Sequence, residues 1–322
     1  MKKCSVGGQA VIEGVMMKNA DRLAVAVRKS DGEIELEKRN ISSWIKRKGV
    51  DKLPFLRGVF VLLDSMVEGI KALNFSAEFF EDEEDGSEPG KIDKFIENMF
   101  GDKASDVMIY VSVAISIVLT VLLFIMLPTF IGGLLKNATD NVVLLNLSEG
   151  LLRVCIFAGY VYAISFNEDI RRVYEYHGAE HKSIHCYESG QELTPENAAK
   201  FTTIHPRCGT NFMFVVLIIS MLLFSLFGWP SPLERVLYRL ILLPVVSGIS
   251  YEIIRLAGKY DTPLLKPLIW PGLMMQKITT REPDISQLEV AISALKAVVE
   301  TEEIAGESED MIVDTAGEIL EN

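Results

Sequence analysis

Two long stretches without a charged residue constrain this chain more than any other feature of its sequence. Residues 107–135 carry no charge over 29 positions, and residues 211–233 carry none over 23. A helix needs about 20 apolar residues to cross the hydrocarbon core of a bilayer. The mean hydropathy of +0.26 agrees with that length. The sequence therefore predicts an α-helical integral membrane protein that partitions into the lipid bilayer.

About four membrane spans are predicted, and two of them carry charged side chains. The spans cover residues 107–131, 142–166, 212–229 and 236–256. In the second, Glu149 and Arg153 are four residues apart, a spacing at which a helix lets them pair. In the fourth, Glu252 is costly to bury unless it is paired or functional, so it is a candidate site residue, with Arg255 as the alternative partner.

The distribution of lysine and arginine predicts an orientation in the cell inner (cytoplasmic) membrane. Positive charges are frequent before the first span and in the loop 167–210, whereas the loops 136–141 and 230–235 are short and poor in them. Loops rich in lysine and arginine stay in the cytoplasm. We expect a multi-pass protein with both termini and the loop 167–210 on the cytoplasmic side.

Two soluble segments precede the predicted membrane domain 91–283. Residues 1–52 form a small β-rich unit, because residues 23–29 and 33–38 alternate around Ser30-Asp31-Gly32, a typical hairpin pattern. Residues 53–80 repeat apolar side chains at helical spacing. We expect an amphipathic helix there, lying at the membrane interface or packed on the bundle.

The end of the chain is predicted to contain an interfacial loop and a second amphipathic helix. Pro263, Pro267 and Pro271 exclude a regular spanning helix, so residues 257–283 are interpreted as a loop at the membrane interface. Ser286 and Glu289 have the spacing of a capping box, which would open an amphipathic helix over residues 284–299.

The net charge of −12 comes from two acidic segments rather than from the body of the protein. The linker 81–90 and the tail 300–322 hold 15 acidic residues between them, and the chain without these acids has a charge of +3. Such runs are usually solvated. Nothing in the sequence indicates nucleic-acid binding or a particular oligomeric state.

All four histidines of the chain lie between positions 177 and 205. On a helix, His177, His181, His185 and Glu188 share one face, because four residues advance slightly more than one turn. Imidazoles and carboxylates at this spacing can converge on one divalent ion, for which zinc is the expected choice. The alternative is that these histidines are interfacial side chains on an amphipathic helix.

The segment 177–181 matches a zinc-enzyme motif. Its sequence His-Gly-Ala-Glu-His is the inverted zincin pattern, in which both histidines bind zinc and Glu180 acts as general base. His205 and Cys208 are the next expected ligands. The four cysteines lack the paired spacing of a disulfide framework, and Cys208 beside a histidine is a more plausible metal ligand. A closed structural site and an open catalytic site both remain consistent with this set.

Further site candidates lie outside this motif. Glu13 is the one acid in an apolar, glycine-bracketed segment near the N-terminus, and it could join the histidines if the β-rich unit folds back on them. Arg57, His185, Glu188 and Glu252 are candidates of the same kind.

Several blocks of the sequence together resemble the YqhQ-like family of bacterial membrane proteins, a family of unknown function described as predicted metal-dependent enzymes. The blocks are residues 7–17, 54–58, 176–182, 205–210, 250–252, 271–273 and 279–283. They extend over most of the chain up to about residue 300. The resemblance implies that the flanking blocks and the histidines form one unit, and it names no substrate.

Two functional hypotheses follow from the sequence. The first is a zinc-dependent membrane hydrolase acting on a peptide or lipid-linked substrate at the cytoplasmic face. The second is a non-catalytic scaffold, sensor or transport protein, in which a structural metal holds the loop 167–210 in place.

Overall fold

The protein combines a small antiparallel sheet with a set of long apolar helices. The structure, a computed structural model, describes residues 6–41, 53–80, 104–228, 231–259 and 266–299. The predicted acidic linker and acidic tail lie outside these residues.

The sheet is a four-stranded meander near the N-terminus. Its strands are β1 (Gly7–Val11), β2 (Gly14–Asn19), β3 (Arg22–Arg28) and β4 (Ile34–Asn40), and each pairs antiparallel with the next. The β3–β4 hairpin turns at the predicted Ser30-Asp31-Gly32 segment, with Val25 opposite Glu37 in the register. The predicted N-terminal β-rich unit is confirmed.

The remaining described elements are helical. They are α1 (Leu56–Ala77), α2 (Ala104–Val121), α3 (Leu127–Leu135), α4 (Val142–Ile164), α5 (Glu168–Glu188), α6 (Pro195–Ala198), α7 (Gly209–Phe224), α8 (Pro232–Lys259), α9 (Lys266–Thr279) and α10 (residues 285–299). A π-helical turn, Leu122–Met126, joins α2 to α3. Pro128 at the start of α3 explains the turn, because proline clashes with the carbonyl four residues earlier.

Three of these helical segments are long and apolar enough to cross a membrane. They are Val111–Leu135, Val142–Ile164 and Leu233–Ala257. Helix α7 has 16 residues and is shorter than this criterion requires. The length and composition of the three segments suggest a membrane protein, in agreement with the sequence.

The sheet is covered on both faces, because its side chains alternate between two apolar layers. Met16, Val25 and Val27 lie with Ala72 and Phe75 of α1 in one cluster. Residues on the opposite face of the sheet pack against α5 and α10: Val15, Met17, Ala24, Ala26, Tyr176, Ala179, Leu288 and Leu295. The core of the β-rich unit is therefore shared with the helix that carries the histidines.

Helix α1 is the predicted amphipathic helix, and the face that it buries in the protein consists of small residues. Gly58, Gly69, Ala72 and Ser76 are buried. Its large apolar side chains are exposed: Leu63, Met66, Val67, Ile70 and Leu73. The small face permits a close approach to the sheet and to α8, and the apolar face remains outside the protein core.

The predicted interfacial loop over residues 257–283 is wrong for α9. Pro267 is the second residue of this helix, where the proline nitrogen would lack an intrahelical partner anyway, so it does not prevent helix formation. Pro271 alone lies in the helix interior. Pro263 lies outside the described residues.

The predicted C-terminal amphipathic helix is present as α10, but its cap begins two residues before the predicted one. The Gln287 N–H donates to Asp284 Oδ1 at 2.8 Å, and the Asp284 N–H donates to Gln287 Oε1 at 2.9 Å. Asp284 and Gln287 thus form the reciprocal capping box. Ser286 supports this cap by donating from its hydroxyl to Asp284 Oδ1 at 2.7 Å.

Candidate metal site

Helix α5 places the histidine stripe between the sheet and the segments that follow it. Its first turn is capped by Asn167, which accepts from the Ile170 N–H at 3.0 Å. Tyr176 and Ala179 pack on the sheet, while His177 and His181 make hydrogen bonds to carbonyls of residues beyond residue 200. The predicted helical stripe is therefore present and largely buried.

His177, His181 and Cys208 form the first of two triads. Their ligand atoms all lie within 4.8 Å of one another. His177 Nε2 is 3.2 Å from Cys208 Sγ, and the centroids of the two imidazoles are 4.5 Å apart. Two imidazoles and a thiol at these distances are a common donor set for zinc.

Backbone carbonyls fix which nitrogen of each histidine in this triad carries the proton. His177 Nδ1 donates to Thr279 O at 2.8 Å, and His181 Nδ1 donates to Thr203 O. A carbonyl can only accept, so both Nε2 atoms keep a lone pair that is directed towards Cys208. Histidines that bind metal commonly donate their other ring N–H in this way.

His181 is held neutral and ready to act as a ligand. Burial, the largest effect, lowers its pKa, although the neighbouring Cys208 sulfur favours the charged form. Its Nε2 atom is buried and makes no hydrogen bond of normal geometry to the described residues. A buried polar atom without a partner is costly, and a metal ion would satisfy it.

Cys208 lies at the start of α7, beside the two histidines. It is the N-terminal cap of α7, and its sulfur accepts from the Thr210 N–H at 3.3 Å. The cysteine therefore suits a metal-ligating role better than a disulfide.

Glu180 lies beside the first triad without belonging to it. Its Oε2 is 3.9 Å from Nε2 of both His177 and His181, and the Gly8 N–H donates to its carboxylate. Burial raises the pKa of Glu180 to about 6, while nearby His177 favours the ionised form. A carboxylate with this pKa can exchange a proton near neutral pH.

Gly178 allows the chain after α9 to reach the histidines. A Cβ atom at this position would lie 2.0 Å from the carbonyl oxygen of Arg281, which follows the α9 segment that supplies the Thr279 carbonyl. Glycine in a helix interior costs about 1 kcal/mol relative to alanine. The close approach of residues 279–281 explains why a glycine is found inside this helix.

His185, Glu188 and His205 form the second triad. His205 Nδ1 accepts from the Arg207 N–H at 3.3 Å, so its proton lies on Nε2, which faces Glu188 Oε2 at 3.6 Å. Arg207 pairs with the same carboxylate, and His185 Nε2 donates to Ile204 O at 3.0 Å. The second triad is thus arranged as a hydrogen-bond network.

The structure divides the predicted ligand set between the two triads. It places His177, His181 and Cys208 together, whereas the imidazole of His205 contacts Glu188 and the Arg207 N–H. The centroids of His181 and His205 are 5.5 Å apart, so the triads are neighbours. His185 and Glu188, predicted as additional candidates, lie in the second triad.

Two buried amide side chains hold the 205–208 segment and were not singled out from the sequence. Gln276 accepts from the His205 N–H and donates to the His205 carbonyl, both at 2.8 Å. Asn211 donates to Pro206 O at 2.7 Å. Each amide has apolar neighbours in the sequence, which indicates that it is buried. A buried amide needs hydrogen-bond partners inside the protein.

The remaining candidates lie outside both triads. Glu13, at φ 47° in the tight turn between β1 and β2, pairs with Arg172 and accepts from the Tyr176 hydroxyl at 3.2 Å. Arg57 Nε donates to Glu252 Oε1 at 2.7 Å, while Arg255 is 3.9 Å from Glu252. The Glu13–Arg172 pair joins the sheet to α5, and the Arg57–Glu252 pair joins α1 to α8.

A polar cleft of about 450 Å³ lies next to the segments that hold the histidines. Its walls include Thr203 and Thr280 together with three basic side chains, those of Arg171, Lys277 and Arg281. Glu175 and Glu282 also line the cleft, whereas the triad residues do not.

Comparison with known proteins places the chain in a family. A family model described as "Protein of unknown function (DUF1385)" matches residues 53–301. The chain belongs to the DUF1385 family. One relative is the uncharacterised protein YqhQ of Bacillus subtilis (strain 168), which is 36% identical over 308 residues, 94% of this chain and 95% of the relative. No solved structure matches.

The family match confirms the resemblance predicted from the sequence blocks. The DUF1385 model begins after the sheet, and it includes α5, the segment 205–208 and α9, which provide both triads and the Thr279 carbonyl. The similarity to YqhQ covers 94% of the chain, so it also includes residues before position 53. A metal-dependent activity stays a prediction.

Proposed function

We propose that the protein is a zinc-dependent hydrolase of the cytoplasmic membrane, acting on a peptide or lipid-linked substrate at the cytoplasmic face. The observation that carries this proposal is the convergence of two lone-pair-bearing Nε2 atoms and a cysteine sulfur, with Glu180 beside them.

The side chains of the first triad fit a zinc ion. His177, His181 and Cys208 offer two imidazole nitrogens and a sulfur, ligands of the softness that zinc prefers. The unsatisfied Nε2 of His181 is a further indication, because it is buried. Three protein ligands leave a fourth position open, as in catalytic zinc sites.

Glu180 is suited to move a proton in this site. When bound, zinc supplies a Lewis acid that activates water or polarises a carbonyl group. With a pKa of about 6, Glu180 is mostly ionised at pH 7 and can accept a proton from the attacking group. The Gly8 N–H holds the carboxylate in place.

Four membrane crossings are supported by contacts between α4 and α7. Asn146, near the start of α4, donates to Phe227 O at 3.2 Å, just after the end of α7. The distance along the helix axis is about 27 Å from Asn146 to the end of α4, and about the same from Phe227 back to the start of α7. Both of these far ends lie next to the histidine segments. Helix α7 with its final turn therefore covers nearly the depth of α4, close to the hydrocarbon thickness of about 30 Å.

The orientation rests on the same contacts and on the loop charges. The sheet precedes the first crossing, and it packs against α5 and α10. Helix α5 follows two crossings and α10 follows four, so all three lie on the same side of the membrane. Lysine and arginine are concentrated in these parts, so we assign them to the cytoplasm. The exposed apolar face of α1 suits the membrane interface.

A non-catalytic metal protein, serving as a scaffold, sensor or transport component, is the second candidate. The burial of His181 and Cys208 favours it, since structural zinc sites are closed to solvent. The two candidates differ in what they require of Glu180, because only the hydrolase needs a proton acceptor.

Metal content of the detergent-purified protein tests the site itself. We expect about one zinc per chain in the wild type and none in the His177→Ala/His181→Ala variant, because both lone-pair donors are removed. Elemental analysis after dialysis against a mild chelator is the measurement. A wild-type protein without stoichiometric metal would contradict both candidate functions.

Replacing Glu180 by glutamine tests catalysis. The wild type, incubated with fluorogenic peptides and with a bacterial lipid extract, is expected to release products that its zinc-free form does not. Glu180→Gln should keep zinc and the folded state but lose product formation by about 100-fold or more. If Glu180→Gln retains full activity, Glu180 is not the general base; if the wild type yields no product, the scaffold is favoured.

A further inference from the structure

A cluster of three arginines and one carboxylate lies at the end of the helices opposite the metal site. Glu149 is in the second turn of α4, about 22 Å before Ile164, after which α5 begins. Arg235 and Arg239 are in the first two turns of α8. The cluster therefore belongs to the membrane face remote from the histidines.

All three arginines pair with Glu149. Arg235 Nη1 is 2.8 Å from Glu149 Oε2, Arg239 Nη2 is 3.0 Å from Oε1, and Arg153 pairs with Oε1 as well. The side chain of Glu149 is fully buried, and those of the arginines are at most 18% exposed. The four groups form one compact, nearly dry assembly.

Among the described residues, the positive charges of this cluster exceed its negative charge. Arg153 and Arg239 share the single carboxylate of Glu149, so their two charges exceed its one even without Arg235. The hydroxyl of Thr129 donates to Glu149 Oε1 at 2.9 Å and adds no charge. Excess positive charge in helices that cross a membrane is costly, because lipid solvates it poorly. An anion would therefore be stabilised here.

An apolar cavity of about 620 Å³ borders the cluster. Arg235 and Thr129 lie on its wall together with apolar side chains between the first span and α8: Ile125, Met126, Phe130, Leu134, Leu233 and Val236. A ligand here would meet a guanidinium at one end and hydrocarbon along its length. This combination matches an anionic lipid.

We propose that the cluster binds the phosphate of an anionic phospholipid whose acyl chain occupies this cavity. Guanidinium groups recognise phosphate through paired N–H···O hydrogen bonds. They favour a lipid whose phosphate keeps its net negative charge over a zwitterionic lipid, whose own cation neutralises the phosphate. The inference rests on the membrane embedding in the proposed function and is independent of zinc and of hydrolysis.

Native mass spectrometry of the full-length protein in detergent tests this proposal. The probes are phosphatidylglycerol, phosphatidylcholine with the same acyl chains, and glycerol phosphate without chains. We expect one phosphatidylglycerol to be retained about tenfold more strongly than phosphatidylcholine, with no retention of glycerol phosphate. Equal retention of the two lipids, or retention of glycerol phosphate alone, would overturn the proposal.

Two variants and one control locate the bound lipid. Arg239→Gln removes a cation, and Gly133→Leu fills the cavity from a helix position where an added Cβ meets no atom within 4 Å. Both should reduce the preference for phosphatidylglycerol about tenfold. Arg255→Gln, at the other end of α8 and 56% exposed, should not change it.

The Gly133→Leu variant keeps the test decisive if Arg239→Gln fails to fold. Unchanged lipid retention in folded Gly133→Leu, or an equal loss in Arg255→Gln, would refute this cavity as the binding site. The zinc content of all these variants should match that of the wild type, so failure of the lipid proposal and failure of the metal proposal are separate results.

Discussion

The position of one proton on each imidazole distinguishes the two neighbouring triads. In His177 and His181, backbone carbonyls accept the hydrogen bond from Nδ1–H, so Nε2 keeps its lone pair. In His205, a backbone N–H occupies Nδ1, so the proton lies on the nitrogen facing Glu188. A histidine cannot use both nitrogens as acceptors while it remains neutral. The backbone thus distinguishes His205 from His177 and His181 as a candidate metal ligand.

Substitution of His205 tests this selection. We expect His205→Gln to retain about one zinc per chain, with affinity weakened by no more than about 10- to 100-fold, as is typical for residues that support ligands. Cys208→Ala should lose zinc as completely as His181→Ala. Zinc titration with a competing chromophoric chelator measures both effects.

The opposite pattern would restore the ligand set predicted from the sequence. If His205→Gln lost zinc and Cys208→Ala kept it, His205 would be a ligand and the hydrogen bond from Arg207 would have to break on binding. Circular dichroism of each purified variant provides the control for folding.

At the level of elements, the contact between α5 and the segment following α9 is the tightest feature of the site. Gly178→Ala would place a methyl group 2.0 Å from Arg281 O, whereas Gly159→Ala in α4 meets no atom within 4 Å. Helix propensity favours both changes by about 1 kcal/mol. We expect Gly178→Ala nevertheless to be destabilising by about 1–3 kcal/mol, because the backbone of residues 279–281 must move.

Thermal unfolding in detergent, with and without a zinc chelator, measures the effect of these two substitutions. Gly159→Ala should be neutral or slightly stabilising in both conditions. Gly178→Ala should lower the unfolding temperature and accelerate zinc release, since Thr279 O would no longer orient His177. A stabilised Gly178→Ala variant with normal zinc release would show that residues 279–281 adapt freely.

The sequence predicted those elements whose signal is local. The hairpin at residues 30–32 and the histidine stripe of α5 both follow from spacing along one segment. Helix α9 does not follow from proline content, because Pro267 at its second position does not oppose helix formation and only Pro271 lies in its interior. The roles of Gln276 and Thr279 could not be predicted, because their hydrogen bonds join residues 71 and 102 positions apart.

At the scale of the whole molecule, the sheet, α5 and α10 form one layered body at one end of the apolar helices. The sheet shares its core with the site helix instead of forming a separate unit. Sequence periodicity predicted that the sheet exists, but it could not predict this packing, which depends on contacts between distant segments. The ion pair between Arg57 and Glu252 joins α1 to the end of α8 in the same way.

Cysteine labelling in intact cells tests the proposed orientation. Asn137→Cys lies in the exposed turn between α3 and α4, and Glu192→Cys lies in the exposed turn after α5. With Cys4 and Cys155 replaced by serine, a membrane-impermeant maleimide should label position 137 from outside and position 192 only after permeabilisation. Labelling of both positions from outside would contradict a membrane crossing by α4 and the cytoplasmic placement of α5.

The hydrogen bond from His177 to Thr279 also constrains the order of events during biosynthesis. The two residues are 102 positions apart, and helices α7 and α8 are synthesised between them. At about 5–20 residues per second, the ribosome needs roughly 5–20 s to cover this interval. During that time His177 lacks the carbonyl that orients it. Under the proposed function, zinc would therefore bind only after α7 and α8 have been inserted, and a truncated chain ending before α9 would leave the ribosome without the carbonyl that orients His177.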